Sequence, residues 1–269
     1  MIRLYYRERL GNYFSQYCFG RLLAHRFKYA LAACPIAGFH TSFSQIEGEE
    51  LLGPEVMWAG HWPREVYSGR GLERAELWKP PGAKLILSGY FQRFEYISDI
   101  RDEVRGDWLR VNDPLPVRPS GDFVICLRLG DGKVVRMADG KEEGTKGDSA
   151  LNEAEIRRLV RTVRHERLYL LTDAPGHPLV AAVRDLGAEV VSLGGMADFR
   201  FIHSFQKVAI CQSTFHWWAA FLGAAREIYF PKIDRGPWSH PEPAVLAHDP
   251  AHWGIDLRVT DDERYIYDW

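Results

Sequence analysis

From Phe123 onward, short β-branched and aliphatic runs alternate with segments whose apolar residues recur at helical spacing. That alternation restricts the chain more than any other feature, because it is the pattern of βαβ units: parallel strands in one sheet, covered by the helices that connect them. Phe123-Val124-Ile125-Cys126-Leu127 reads as a buried strand. Asn152 followed by Glu155 forms a capping box, and Ile156, Leu159, Val160 and Val163 then share one helical face. A strand over Leu168–Leu171, a helix from about Pro178 to Leu186 and a strand over Glu189–Leu193 follow. Val208–Cys211 and Ile228–Phe230 read as strands flanking a helix built on Phe215 to Leu222. The expectation is a doubly wound half whose ligand groups stand at the carboxyl ends of its strands.

The first half is less regular. Ile2 to Tyr6 reads as a strand, Gly11-Asn12 as a turn with Asn12 as N-cap, and the following helix carries Phe14, Tyr17, Cys18 and Leu22. Leu85-Ile86-Leu87 reads as a second strand, leading through Gly89-Tyr90-Phe91-Gln92 to a charged helix from about Phe94 to Val104. The prolines and missing periodicity of residues 111–121 mark a linker. Two domains are therefore expected, 1–115 and 116–269, each an α/β half. The stretch 130–148, rich in Gly, Asp, Lys and Glu, reads as a mobile loop.

Composition narrows the class of partner. The chain has 269 residues, 46% hydrophobic and 26% charged, enough to bury a large core without staples. Its formal net charge of −2 offers no general basic field for nucleic acid. The four cysteines, Cys18, Cys34, Cys126 and Cys211, form no CxxC pair, which argues against a zinc site or a disulfide framework and fits a reducing, cytoplasmic setting. No segment nears the roughly 18 apolar residues of a membrane span, so the chain reads as soluble or peripherally attached to the inner face of a membrane. Aromatic content is 13%, a trait of surfaces that stack on sugars or bases.

The chain contains no GxxxxGK[ST] loop, GxGxxG, GxSxG or HExxH. It also has no DxD, the paired aspartates that hold a divalent metal under a sugar nucleotide, so no metal is expected. Three segments carry possible chemistry. Arg9-Leu10-Gly11-Asn12 is a strand-to-helix turn where an anion can approach the backbone, or simply a capped helix start. Cys126-Leu127-Arg128-Leu129-Gly130-Asp131 places Arg128 at the mouth of a buried strand, where its planar fork suits a diphosphate or a salt bridge with Asp131 or Asp173. Cys211-Gln212-Ser213-Thr214-Phe215-His216-Trp217-Trp218 is a strand end leading into an aromatic helix capped by Ser213 or Thr214. Its free N–H groups suit phosphate, while both tryptophans pack beneath.

These segments, together with Ser15-Gln16-Tyr17, Ser88-Gly89-Tyr90-Phe91-Gln92 with Tyr96, and Thr172-Asp173, occur in an order that resembles the fucosyltransferase superfamily. The resemblance is closest to glycosyltransferase family 11, the α-1,2-fucosyltransferases, and runs from about residue 9 to 231. Where that family has the histidine of HxRxxD this chain has Cys126. It has Tyr13 where the family has glutamine after the GN turn, and Leu129 where a second arginine is common.

The resemblance implies a GT-B-like α/β fold of two facing Rossmann-like halves with mostly parallel sheets. The first half would hold the acceptor and the second the nucleotide sugar. It implies metal-independent, inverting transfer of fucose from GDP-fucose, the donor substrate and not a cofactor, to a galactoside hydroxyl of an oligosaccharide, polysaccharide or glycolipid. Arg128 would hold the β-phosphate and glycosidic oxygen, assisted by Arg9, Gly11 and Asn12 and by Ser213, Thr214 and Phe215. Asp173 and Asp198 would receive guanine or ribose, and Asp131 would act as base or orient Arg128. Two other readings stand beside this one: a transferase using another GDP-sugar or a protein acceptor, and a silent module that binds a nucleotide sugar or glycan.

Overall fold

Ile2–Leu4 forms β1, the centre of a four-stranded sheet in which every pairing is parallel. In this computed structural model the described residues are 2–4, 6, 9–41, 55–59, 84–88, 91, 97, 100–130, 135–136, 142–143, 153–211, 213–231, 257–259 and 264–268. They fall into two units that divide between Asn112 and Asp113.

In the first unit, helix α1 (Leu10–Phe27) follows β1 and returns the chain to β2 (Leu31–Ala32), while β5 (Lys84–Ser88) and β4 (Glu55–Ala59) extend the other edge. Phe14, Tyr17, Phe19 and Leu23 of α1 are fully buried with Ile2 and Leu87 of the sheet. The helix approaches closely because Gly20 faces the strands: a Cβ there would lie 3.2 Å from Leu31 Cδ1 and 3.4 Å from Leu87 Cδ1. α1 ends at Lys28, left-handed at φ 54°, with His25 and Arg26 against the negative end of the helix dipole.

Two expectations change here. The N-cap of α1 is Arg9, in extended conformation, and Asn12 sits inside the first turn with its N–H donated to the Arg9 carbonyl at 2.8 Å. Burial of Phe14 and Tyr17 fixes the helix phase and carries the first turn past the residue with the best capping side chain. The helix expected over residues 94–104 is described from Arg101: α2 (Arg101–Glu103) runs into a π turn, Val104–Trp108, closed by Leu109 N–H to the Val104 carbonyl at 2.9 Å. The wider turn puts both Val104 and Trp108 inside, where Arg21 covers the Trp108 ring at 4.9 Å. Nearby, β3 (Phe39–His40) and β6 (Arg110–Val111) form a short antiparallel pair.

The second unit contains the doubly wound sheet. Its strands β7 (Asp122–Leu127), β10 (Arg167–Thr172), β11 (Glu189–Val191), β12 (Lys207–Ile210) and β13 (Glu227–Pro231) lie in the order β11-β10-β7-β12-β13, all parallel. Counted in chain order that is 3-2-1-4-5, the Rossmann arrangement, with the switch point between β7 and β12. β15 (Arg264–Asp268) and β14 (Leu257–Val259) add an antiparallel edge that the sequence reading did not contain.

Helices cover both faces of this sheet. Ile156 and Leu159 of α3 (Glu153–Thr162) and Leu179, Val180 and Val183 of α4 (Pro178–Arg184) pack on Phe123, Ile125 and Leu127. Alternate strand residues face the other way, and Tyr169 meets Phe201 and Phe205 edge-on at 5.8 and 5.3 Å. Phe201 belongs to α5 (Gly195–His203), which packs beside α6 (Thr214–Leu222). Asn152, expected to cap α3, lies outside the described residues. Most of the expected loop 130–148 lies outside them too, and its described part is an antiparallel pair, β8 (Val135–Arg136) with β9 (Glu142–Glu143).

The linker is docked onto this unit from Arg118 onward. Arg118 donates its N–H to the Ser204 carbonyl at 2.8 Å, and its guanidinium lies 4.7–4.8 Å from the rings of Tyr169, Phe201 and Phe205. It also reaches Asp122 at 3.4 Å, a buried carboxylate that Arg167 grips with two nitrogens at 2.9 and 3.0 Å. The charge at the head of β7 is thus compensated by two arginines, one of them shielded by aromatic faces.

Candidate active site

The carboxyl edge of β7 and β12 is set by register. Cys126 pairs with Ile210, so Arg128 leaves β7 level with the turn that carries β12 into α6. Strand alternation is continuous up to this edge. Leu127 and Leu129 belong to the core facing α3 and α4, and Arg128, between them, is half-buried.

Ser213 caps α6. Its backbone is extended at φ −146° and ψ 114°, its Oγ accepts the His216 N–H at 3.4 Å, and its carbonyl accepts the Trp217 N–H at 3.0 Å. Between the two cap candidates the structure selects Ser213, and Thr214 is the first helical residue. The first turn contains no acidic residue, so no side chain of this helix neutralises the positive end of its dipole, which favours an anion.

An aromatic layer fixes that end. Trp217 stacks on Phe221 at 4.8 Å, Trp218 meets both edge-on, and Phe215 packs at 5.4 Å against Phe199 of α5. Trp217 and Trp218 are buried, as expected of residues that support the cradle.

Beneath the turn lie two residues whose contact the sequence reading missed. The buried Cys211 Sγ lies 3.4 Å from Nδ1 of the buried His216. Cys126, also buried, has its thiol pushed well above the ordinary 9.0, first by burial and then by Cys211 and Asp198. Burial likewise raises Cys18 in the first unit, against a smaller opposing effect of Arg21. Both thiols stay protonated in the folded chain while the unfolded chain ionises from pH 9.0 upward. The folded state then binds more protons than the unfolded one, so stability is complete below pH 9 and falls as pH rises above it. Each thiol contributes a slope of up to about 1.4 kcal/mol per pH unit. The two thiols should therefore leave the melting temperature unaffected below pH 9 and lower it above pH 9, with a shallower drop in Cys126→Ser. An unchanged slope in that variant removes Cys126 from the explanation.

Asp173, just after β10, accepts the Leu129 N–H at 2.7 Å and the Gly130 N–H at 3.0 Å through Oδ1, so this carboxylate organises the chain that leaves Arg128. The approach is tight: a Cβ on Gly130 would lie 3.0 Å from Asp173 Oδ2. Asp198 reaches back from α5 to accept the Leu193 N–H at 2.9 Å. Arg128, Asp173, Ser213, Thr214 and Phe215 therefore stand along one edge of one sheet, with Asp198 on the neighbouring helix.

Arg9, Gly11 and Asn12 stand at the β1–α1 turn of the first unit. Arg9 is exposed, Gly11 and Asn12 are buried, and Tyr6 stacks on Tyr13 at 4.7 Å beside them. That helix start also has no acidic first-turn residue. Asp131, Tyr90, Gln92 and Tyr96 lie outside the described residues. Among the described residues there is no group of three or more His, Cys, Asp or Glu placed to hold a metal ion.

No protein-family model matches the chain, and no curated protein matches it. Among solved structures, the chain is similar to a NodZ α-1,6-fucosyltransferase soaked with GDP-fucose, at 12% identity over 86% of this chain and 95% of that one, with a TM-score of 0.45. It is also similar to the selenomethionine form of the fucosyltransferase NodZ from Bradyrhizobium, at 14% identity over 89% of this chain and 96% of that one, with a TM-score of 0.46. The Rossmann assignment of the second unit rests on its strand order.

Proposed function

We propose that the chain is a metal-independent glycosyltransferase that binds a GDP-sugar, GDP-fucose first, at the β7–β12 edge and transfers the sugar with inversion to a galactoside hydroxyl of an oligo- or polysaccharide, in α-1,2 linkage. The observation that carries this reading is the position of Arg128, a half-buried cation at a Rossmann switch point, level with a helix start free of acidic side chains. The order of sequence motifs from residue 9 to 231 supports the choice of donor.

In this reaction the acceptor oxygen forms a bond to the anomeric carbon while the bond from that carbon to the β-phosphate oxygen breaks. The electron pair leaves with GDP, and the acceptor hydroxyl loses its proton to a base. Negative charge grows on the diphosphate, and Arg128 with the first-turn amides of α6 meets it in place of a metal. Asp173 acts on the cation indirectly, by holding the backbone at Leu129 and Gly130. Asp198 is proposed as a further donor contact and Asp131 as the proton acceptor, while Arg9, Gly11 and Asn12 are proposed to bind an anionic or polar group of a substrate at the β1–α1 turn of the first unit.

GDP-fucose, but not UDP- or CMP-sugars, should raise the melting temperature, and fucose transfer to a galactoside should survive EDTA. Loss of transfer in EDTA with restoration by a divalent ion would refute the metal-free mechanism. One observation favours a second reading, that of a binding module without turnover: the buried, protonated Cys126 supplies no charge where the resembling family has histidine. Such a module would bind GDP-fucose yet release no GDP with any acceptor.

A further inference from the structure

The opposite, amino-terminal edge of the second unit's sheet carries cations that the proposed reaction does not use. Arg161 stands exposed on the outer side of α3, away from Ile156 and Leu159, and Arg164, also exposed, follows the helix end. Lys207, at the start of β12, donates through Nζ to the Arg164 carbonyl at 2.8 Å, and Arg226 precedes β13 with its N–H on the Gln206 carbonyl at 2.9 Å. Among the described residues, none of these four has a carboxylate within ion-pair distance. The acids of this edge are Asp122, which is held by Arg167 and Arg118, Glu227, which accepts the Tyr229 hydroxyl at 2.6 Å and keeps its charge, and the exposed Glu166, Asp185 and Glu189. Glu189 and Asp185 lie at the β11 end, so the excess of cations is centred on the heads of β10, β12 and β13, in a chain whose net charge is −2.

The same edge presents apolar side chains to solvent. Leu115 and Val117 are 42% and 61% exposed, two of the three exposed large hydrophobic residues among those described. They are held at this edge because Arg118, next in sequence, is anchored to Ser204 by its N–H and receives the Gln206 side-chain amide on its carbonyl at 2.9 Å. Gln206 directly precedes Lys207. Cations flanking exposed aliphatic side chains suit an anionic lipid surface, where phosphate headgroups meet the arginines and the aliphatic tips enter the boundary of the acyl region. A nucleic-acid face would instead be expected to offer exposed stacking aromatics, whereas Tyr169, Phe201 and Phe205 here are buried around Arg118. No described helix is long and apolar enough to cross a membrane, so attachment here is peripheral.

We propose that this edge, formed by Arg161, Arg164, Lys207 and Arg226 with Leu115 and Val117, docks the protein on an anionic membrane surface. The edge lies opposite the strand ends that carry Arg128, which leaves the candidate donor site unobstructed. This inference does not depend on the donor or on catalysis.

The test is sedimentation of the full chain with phosphatidylcholine vesicles, with and without a one-third share of phosphatidylglycerol. Binding should require phosphatidylglycerol and should weaken strongly as salt rises from about 0.1 M to about 1 M. The double variant Arg161→Glu/Arg164→Glu should lower the partition coefficient by at least about 25-fold, taking roughly fivefold for each arginine lost. Arg161→Lys/Arg164→Lys should bind nearly as the wild type, and Leu115→Ser/Val117→Ser should bind more weakly at unchanged salt dependence. A melting curve checks that each variant is folded. Equal binding to both vesicle types, no binding to either, retention only by a single-stranded RNA, or wild-type binding by the folded double-glutamate variant would each overturn the proposal.

Discussion

Arg128→Ala is expected to lower the rate of the proposed transfer from GDP-fucose by about 100- to 1,000-fold, the loss that follows from removing one preorganised donor to a developing oxyanion, roughly 3 kcal/mol. The size follows from the position of the residue. Arg128 continues β7 between two buried leucines, so its backbone is held by the sheet, and the Leu129 and Gly130 amides on Asp173 hold the chain just beyond it. With the backbone held, only the side-chain torsions remain to be ordered when Arg128 meets a diphosphate, and its planar fork can engage two oxygens at once. Lysine at the same position keeps the charge and loses the fork, so Arg128→Lys should recover only part of the rate. Stability should change little in either variant, because the half-buried side chain is not part of the core behind it. Initial rates on a galactoside acceptor, read beside melting temperatures, check both statements. Near-normal turnover in folded Arg128→Ala would remove the residue from the reaction.

Gly223→Ala is expected to be the most damaging glycine-to-alanine change among the described residues of the second unit. A Cβ at Gly223 would stand 2.6 Å from the Cα of His203 and 2.7 Å from the Ala219 carbonyl oxygen, and would also strike the His203 carbonyl oxygen. All three are backbone atoms, so no rotamer change relieves the contact. The Ala224 N–H already donates to the His203 carbonyl at 2.8 Å, tying the end of α6 to the end of α5. The methyl must part these helices or break that bond, at a cost of about 3 kcal/mol. For a chain of this size that corresponds to a fall of about 6–12 °C in melting temperature. Because α5 supports Phe215 through Phe199, donor binding should weaken together with stability. A melting temperature within a degree or two of wild type would show that the two helix ends are not in close contact.

The parts of this structure that could be read from sequence are those determined locally. β7, β10, β12 and β13 are continuous apolar runs, α3 carries its core residues at helical spacing, and Arg128 and Ser213 follow strand ends directly. α5 was not legible, because it opens on Gly194 and Gly195, both with positive φ (83° and 50°), a pair that reads as a turn. β2, β3 and β6 are two-residue ladders, too short to show alternation. The role of Asp173 was hidden for a different reason. Its partners, Leu129 and Gly130, are 44 and 43 residues away, and only the parallel pairing of β7 with β10 brings them to its carboxylate. The same holds for Arg118, whose three ring partners come from a strand, a helix and the turn after it.

Calorimetric titration of GDP-fucose into the full chain in the presence of EDTA, repeated with Arg128→Ala, decides whether the Arg128 edge holds a GDP-sugar without a metal. Saturable binding that persists in EDTA, is not reproduced by UDP- or CMP-sugars and is lost in the variant is the expected result. Folded protein that gives no heat with any GDP-sugar, or that binds equally well without the Arg128 guanidinium, would contradict it.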